Sequence, residues 1–148
     1  MNAHLFEILF TMQLFSTFFL TGLIWVIQLV HYPSFHYIEE NIFSTFAQFH
    51  SKRITRIVLP MMFIELISAF IILLASDLGQ LSFTLFIVNF VIIVLIWSCT
   101  FCLSMPCHKE LMREINKPII NKLIRTNWPR TVLWSFKSLL LIFWTFHS

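Results

Sequence analysis

Residues 49–69 read FHSKRITRIVLPMMFIELISA, and this stretch decides the fold. It opens on His50, Lys52, Arg53 and Arg56, crosses Pro60, and then carries Glu65 in the middle of an otherwise apolar run. A charged carboxylate at the centre of a hydrocarbon layer costs about 3 kcal/mol, so it belongs in a bundle interior with a partner. The one basic residue set inside another long apolar segment is Lys137. At 1.5 Å of helix per residue, Glu65 lies roughly 16 Å beyond Ile54 and Lys137 roughly 14 Å beyond Trp128. Both segments start on the same side, so the two charges share a depth and are expected to meet as a buried pair; the alternative is that Lys137 snorkels and Glu65 bonds to Gln13, Thr17 or Asn89 instead.

The composition supports a membrane chain. Of 148 residues, 58% are hydrophobic, 17% aromatic and only 11% charged, where soluble domains carry about 25% charged residues. Two glycines and five prolines leave little linker material, and no internal repeat or Gly-rich phosphate loop occurs. The net charge of +3 implies no nucleic-acid partner; the expected partners are the lipid bilayer and an apolar small molecule, with room for a homo-oligomer. The opening MNAHLFEILF lacks a basic n-region and places Glu7 where a secretion signal wants Lys or Arg, so the first helix is expected to be retained.

Working outward, four spans emerge at about 5–30, 54–75, 81–107 and 128–147, forming one transmembrane domain over residues 1–148. The predicted fold is an all-α, integral membrane, up-down four-helix bundle. On the first span Gln13, Thr17, Thr21, Gln28 and His31 fall within an arc of roughly 80°, a polar stripe suited to a protein interior. Residues 34–48 read as an interfacial or protruding first part of helix two. Its inner face is expected to hold His50, Arg53, Ile57, Met61, Glu65 and Ser68 within roughly 120°. Pro60 predicts a kink. Residues 76–80, SDLGQ, read as a tight turn, and Lys117-Pro118 as a break between a helical piece reaching Asn116 and a second short polar piece that precedes the last span at Trp128.

Nine basic residues, Lys52, Arg53, Arg56, Lys109, Arg113, Lys117, Lys122, Arg125 and Arg130, fall on one side of this arrangement, while the opposite loop has Asp77 and no Lys or Arg. The positive-inside rule makes the basic side cytoplasmic. The expected location is a bacterial cytoplasmic membrane, with both termini outside the cytoplasm.

Threading the spans brings His31, His50 and His108 to the basic end from three helices, beside Asn127 and Arg130. Trp134 and Trp25 complete the expected pocket together with Arg53. Imidazoles, a guanidinium and indoles around one opening suit a planar aromatic compound, a quinone or a haem. His50 or His31 would act as general base or haem ligand, and Arg130 and Asn127 would hold an oxygen that gains negative charge. No His pair stands at i, i+3 or i, i+4, so no metal site is expected from one helix. Cys99 and Cys102 have the spacing of a redox pair, but within an apolar span they read as small buried hydrophobes.

Helix one ending in His31-Tyr32-Pro33, then Phe46, His50 and Arg53 leading into Pro60 and Glu65, and finally residues 127–134, NWPRTVLW, followed by Lys137, resemble the small four-helix membrane proteins around the anthrone-oxygenase-like family. More distantly the layout is similar to the haem-dependent membrane protoporphyrinogen oxidase. The resemblance covers nearly the whole chain and implies oxidation of a planar polycyclic or tetrapyrrole-like compound, with His50, Asn127 and Arg130 as matching positions. Where that family often carries Arg after the second Trp, this chain has Lys137, which keeps the charge without the planar fork. Two other functions fit the same residues: a small proton-linked transporter or binding protein using Glu65 with Lys137 as counter-ion, and a non-catalytic membrane assembly subunit.

Overall fold

The computed structural model describes residues 2–76 and 81–147. Four helical rods carry them. Rod α1 is Ala3–Tyr37 and α2 is Glu40–Leu74. Rod α3 covers residues 81–111, and α4 is Lys117–His147. Each rod packs against its neighbours in sequence, and α1 closes the ring against α4. The chain is therefore an all-α, up-down four-helix membrane bundle. Ala3–Tyr37, Glu40–Leu74 and Phe83–Leu111 are long and apolar enough to cross a bilayer. The fourth rod matches them in length and mixes Lys137, Ser135 and Ser138 into its apolar part. The expected turn over residues 76–80 lies, beyond Ser76, outside the described residues.

Local chemistry sets the rod ends. Asn2 caps α1, its Oδ1 accepting from the Leu5 N–H at 2.8 Å. At the start of α4, Asn116 Oδ1 accepts from the Ile119 N–H at 3.2 Å, and Pro118 follows in the first turn, where its missing N–H costs nothing. Lys117-Pro118 thus begins the last helix. This corrects the expected break there: the polar piece and the last span form one continuous rod, and the chain turns over residues 112–116. Helix α2 starts at Glu40, so residues 40–48 form the first part of the spanning helix, as expected, and the helix runs without interruption through Pro60.

Two wide turns mark the basic end. Pro33 and Pro106 have no N–H to offer the carbonyls four residues earlier. Just ahead of each proline the helix widens into a π turn, Ile27–His31 in α1 and Thr100–Ser104 in α3. There the Tyr32 N–H reaches back to the Ile27 carbonyl and the Met105 N–H to the Thr100 carbonyl. Each π turn adds a residue per turn and re-aims the side chains beyond it.

Rings fill both ends of the bundle. At the end holding the chain termini, Trp144 packs on Phe10 at 4.3 Å and on Phe6 and Phe86 at 5.4 and 5.5 Å between centroids. At the basic end, fully buried Phe35 and Phe43 pack with Tyr32, Leu111, Ile120 and Leu123. Such ring pairs add about 0.5–1.5 kcal/mol each beyond simple burial.

Candidate functional site

Polar groups occupy the interior in two layers. The deeper layer centres on Glu65 and Lys137, both fully buried, with Lys137 Nζ 2.6 Å from Glu65 Oε1. Thr17 completes a triangle, accepting from Lys137 at 2.6 Å and donating to the same carboxylate oxygen at 3.0 Å. The second carboxylate oxygen accepts from Trp134 Nε1 at 3.3 Å. Below this group Ser68 donates to Gln13 Oε1 at 2.6 Å, and Gln13 Nε2 points to Asn89 Oδ1 at 3.5 Å. Thr21 bonds Ser138 at 2.8 Å. Both carboxylate oxygens and the ammonium find partners, which is what a charge pair needs to survive in low dielectric.

The second layer sits towards the basic end and centres on Arg130, which is 6% exposed. Its Nη1 donates to Asn127 Oδ1 at 3.1 Å and Ser104 Oγ at 3.2 Å, and Asn127 in turn donates to Gln28 Oε1 at 2.8 Å. The guanidinium lies over the Trp134 ring, 5.2 Å from its centroid. Among the described residues no carboxylate pairs with it. Its Nε–H is buried without a hydrogen-bond partner.

Beside Arg130 stands an imidazole cluster. His31 Nε2 and His50 Nδ1 lie 2.6 Å apart with ring centroids at 4.1 Å. His50 and His108 have centroids 5.7 Å apart, and His108 Nε2 is 2.9 Å from the Tyr32 hydroxyl. In the tautomer where His50 donates through Nδ1 to His31, its Nε2 is a free acceptor. The hydrogen bond to His31 then holds the ring in place, as an orienting partner does for a catalytic base. One ring of a bonded pair must accept through a bare nitrogen, so His31 and His50 do not both carry a full set of protons.

His31, His50, His108, Asn127, Arg130 and Trp134 therefore gather at one end of the interior. Two residues expected with them do not. Arg53 is exposed and lies over the Phe49 ring at 5.3 Å. Trp25 is 38% exposed, bonds Ser135 at 3.0 Å and stands edge-on to Trp128 at 5.8 Å on the outside of the bundle. The buried residues of α2 are Phe43, Ala47, His50, Met62, Glu65, Ser68, Ala69 and Ile72. At about 100° per residue they centre roughly 50° away from the expected face, which puts Ile57 outside as well. The physical reason is that an arginine near the end of a membrane span snorkels outward to water and says little about the inner face. Cys102 is exposed too, and only Cys107 of the three thiols is buried.

The site also uses two residues that the sequence pattern did not place in it, Tyr32 and Ser104. Tyr32 directly precedes Pro33 and Ser104 stands two before Pro106, both at the level of Arg130. That position, behind a proline-induced π turn, was the available signal.

A haem held between His31 and His50 does not fit this geometry. Their nitrogens bond each other directly, leaving no gap for a macrocycle, and the Nε2 of His108 faces Tyr32. Among the described residues no group of three or more His, Cys, Asp or Glu side chains is placed to hold a metal ion. The fold and site define a class, an integral membrane helical bundle with a buried His/Arg cluster at its basic end. Comparison with protein-family models, with curated proteins and with solved structures finds no match to this chain.

Proposed function

We propose that the chain is a membrane-embedded oxidoreductase, of the anthrone-oxygenase-like kind it resembles, acting on a planar aromatic compound that carries an oxygen. The observation behind this assignment is Arg130, a buried guanidinium without a carboxylate partner among the described residues and with an unbonded Nε–H. A buried charge left in that state favours an electron-rich oxygen from outside the chain. Asn127 and Ser104 fix the guanidinium, and Trp134 backs it with a ring face. His50 supplies the base.

In a substrate with a CH2 group conjugated to a ring ketone, the C–H proton passes to His50 Nε2, and the electron pair delocalises onto the ring oxygen held by Arg130. Dioxygen, the oxidant, accepts electrons from this anion and forms the new C–O bond. Loss of water then gives C=O, so that one CH2 and one O2 become one C=O and one H2O. Donors aimed at the developing charge in a dry site lower the barrier to the first step. We place the basic end on the cytoplasmic face of a bacterial membrane, with both termini on the other side, because nine of the ten Lys and Arg residues lie at that end. Glu65, held by Lys137, Thr17 and Trp134, is assigned to the architecture.

The test is oxygen uptake by the whole chain in nanodiscs with anthrone as the probe. His50→Phe is expected to slow uptake by about 100-fold or more while binding persists. Unchanged uptake would remove His50 from the reaction, and a wild-type chain that neither binds nor oxidises planar ketones and phenols would end the assignment.

A further inference from the structure

Outside the bundle, at the basic end, a groove of about 420 Å³ runs along α4 against α3. Leu103, Pro118 and Pro129 give it apolar walls, and Lys122 and Arg125 stand between the two prolines. No acidic side chain lines it, and neither base forms an ion pair among the described residues. Its depth in the membrane can be read from Trp128, which is 41% exposed beside Trp25, an outward-facing tryptophan pair of the kind that marks the edge of the hydrocarbon. Pro129 is therefore at that edge. Arg125 lies about 6 Å and Pro118 about 16 Å further out along the helix. The headgroup layer is about 5–7 Å thick on each side of the bilayer, so Pro129 stands at the top of the acyl region, Arg125 within the headgroups and Lys122, roughly 10 Å out, just beyond them.

We infer that this groove is a binding site for an anionic phospholipid, with the phosphate between Lys122 and Arg125 and one acyl chain against Leu103 and Pro129. Two features meet here: the bases Lys122 and Arg125 in the outer half and the apolar Leu103 and Pro129 at the hydrocarbon edge. A free phosphate would use the first alone, and a zwitterionic lipid would gain little from the charges. Basic grooves between membrane helices select anionic headgroups in this way. The site is independent of the proposed catalysis, although its floor is the outer side of the Leu103-Ser104 and Pro129-Arg130 segments that hold Arg130.

The experiment uses the whole chain in detergent, titrated with dioleoyl phosphatidylglycerol, dioleoyl phosphatidylcholine and soluble glycerol phosphate, with bound lipid counted by native mass spectrometry. Phosphatidylglycerol is expected to bind tighter than phosphatidylcholine. The double variant Lys122→Gln, Arg125→Gln is expected to bind it about 30-fold more weakly, equivalent to about 2 kcal/mol at tenfold per 1.4 kcal/mol. Lys52→Gln with Arg56→Gln, a charge-matched control at the same end, is expected to change binding less than threefold. Equal binding of the two lipids, an equal loss in the control, or glycerol phosphate binding as tightly as the lipid would each overturn the site. Leu103→Trp fills the apolar half without touching charge and is expected to expel the lipid. Undiminished binding in that variant would overturn it too, even if the charge variant failed to fold.

Discussion

Two charged layers lie one above the other in this bundle, and they are solved in opposite ways. Glu65 and Lys137 are fully buried and neutralise each other, with further bonds from Thr17 and Trp134. Arg130 is nearly as buried, yet it has only neutral partners and keeps one N–H unbonded. Trp134 touches both, giving its N–H to the carboxylate and its ring face to the guanidinium. The contrast separates architecture from function. A charge pair that completes itself holds helices together, whereas the charge left incomplete is the one to which the proposed function assigns a ligand.

The comparison breaks most sharply on the ion pair. Lys137→Met alone is expected to cost about 3–5 kcal/mol, because it strands a carboxylate in a low-dielectric interior, while Glu65→Gln with Lys137→Met should recover most of that loss. Detergent unfolding of the two single variants and the double variant measures the coupling, and additive losses would show that the two charges do not act as a unit. Trp134→Phe comes next. It keeps a ring for Arg130 and removes one donor from Glu65, for an expected loss of about 1–2 kcal/mol by the same unfolding measurement. The smallest effect should be at Arg130. Arg130→Met removes an uncompensated buried charge together with two hydrogen bonds, so stability should stay within about 1 kcal/mol of wild type. In the same variant, ligand binding read by fluorescence of the bound probe should be lost. A stability loss as large as that of Lys137→Met would make Arg130 a second architectural charge and dissolve the distinction.

The deep layer was legible because depth along a helix needs only the rise per residue, and Glu65 and Lys137 stand out against apolar neighbours. The four-rod bundle came from the same hydropathy. Rotation was harder to read. Arg53 and Trp25 are amphipathic residues that suit an interface as well as an interior, and the structure turns both outward. Helix ends were also displaced, since hydropathy reports where a rod enters the bilayer while α2 and α4 continue well into the polar region. The π turns at Ile27–His31 and Thr100–Ser104 add a further phase slip that a fixed 100° step cannot track. Tyr32 and Ser104 escaped notice for this reason.

The partners of Glu65 lie on both sides of it in the chain, and this gives the bundle an order of assembly. Thr17 precedes Glu65 by 48 residues, whereas Trp134 and Lys137 come 69 and 72 residues after it. At about 5–20 residues per second of synthesis, the carboxylate exists roughly 4–14 s before its counter-ion. In that interval the growing chain already holds the Thr17, Gln13 and His31 partners of Glu65, Ser68 and His50, all of them between α1 and α2. The first hairpin is thus equipped to shelter the acid on its own, and the last helix delivers the neutralising ammonium to a seat that is already built.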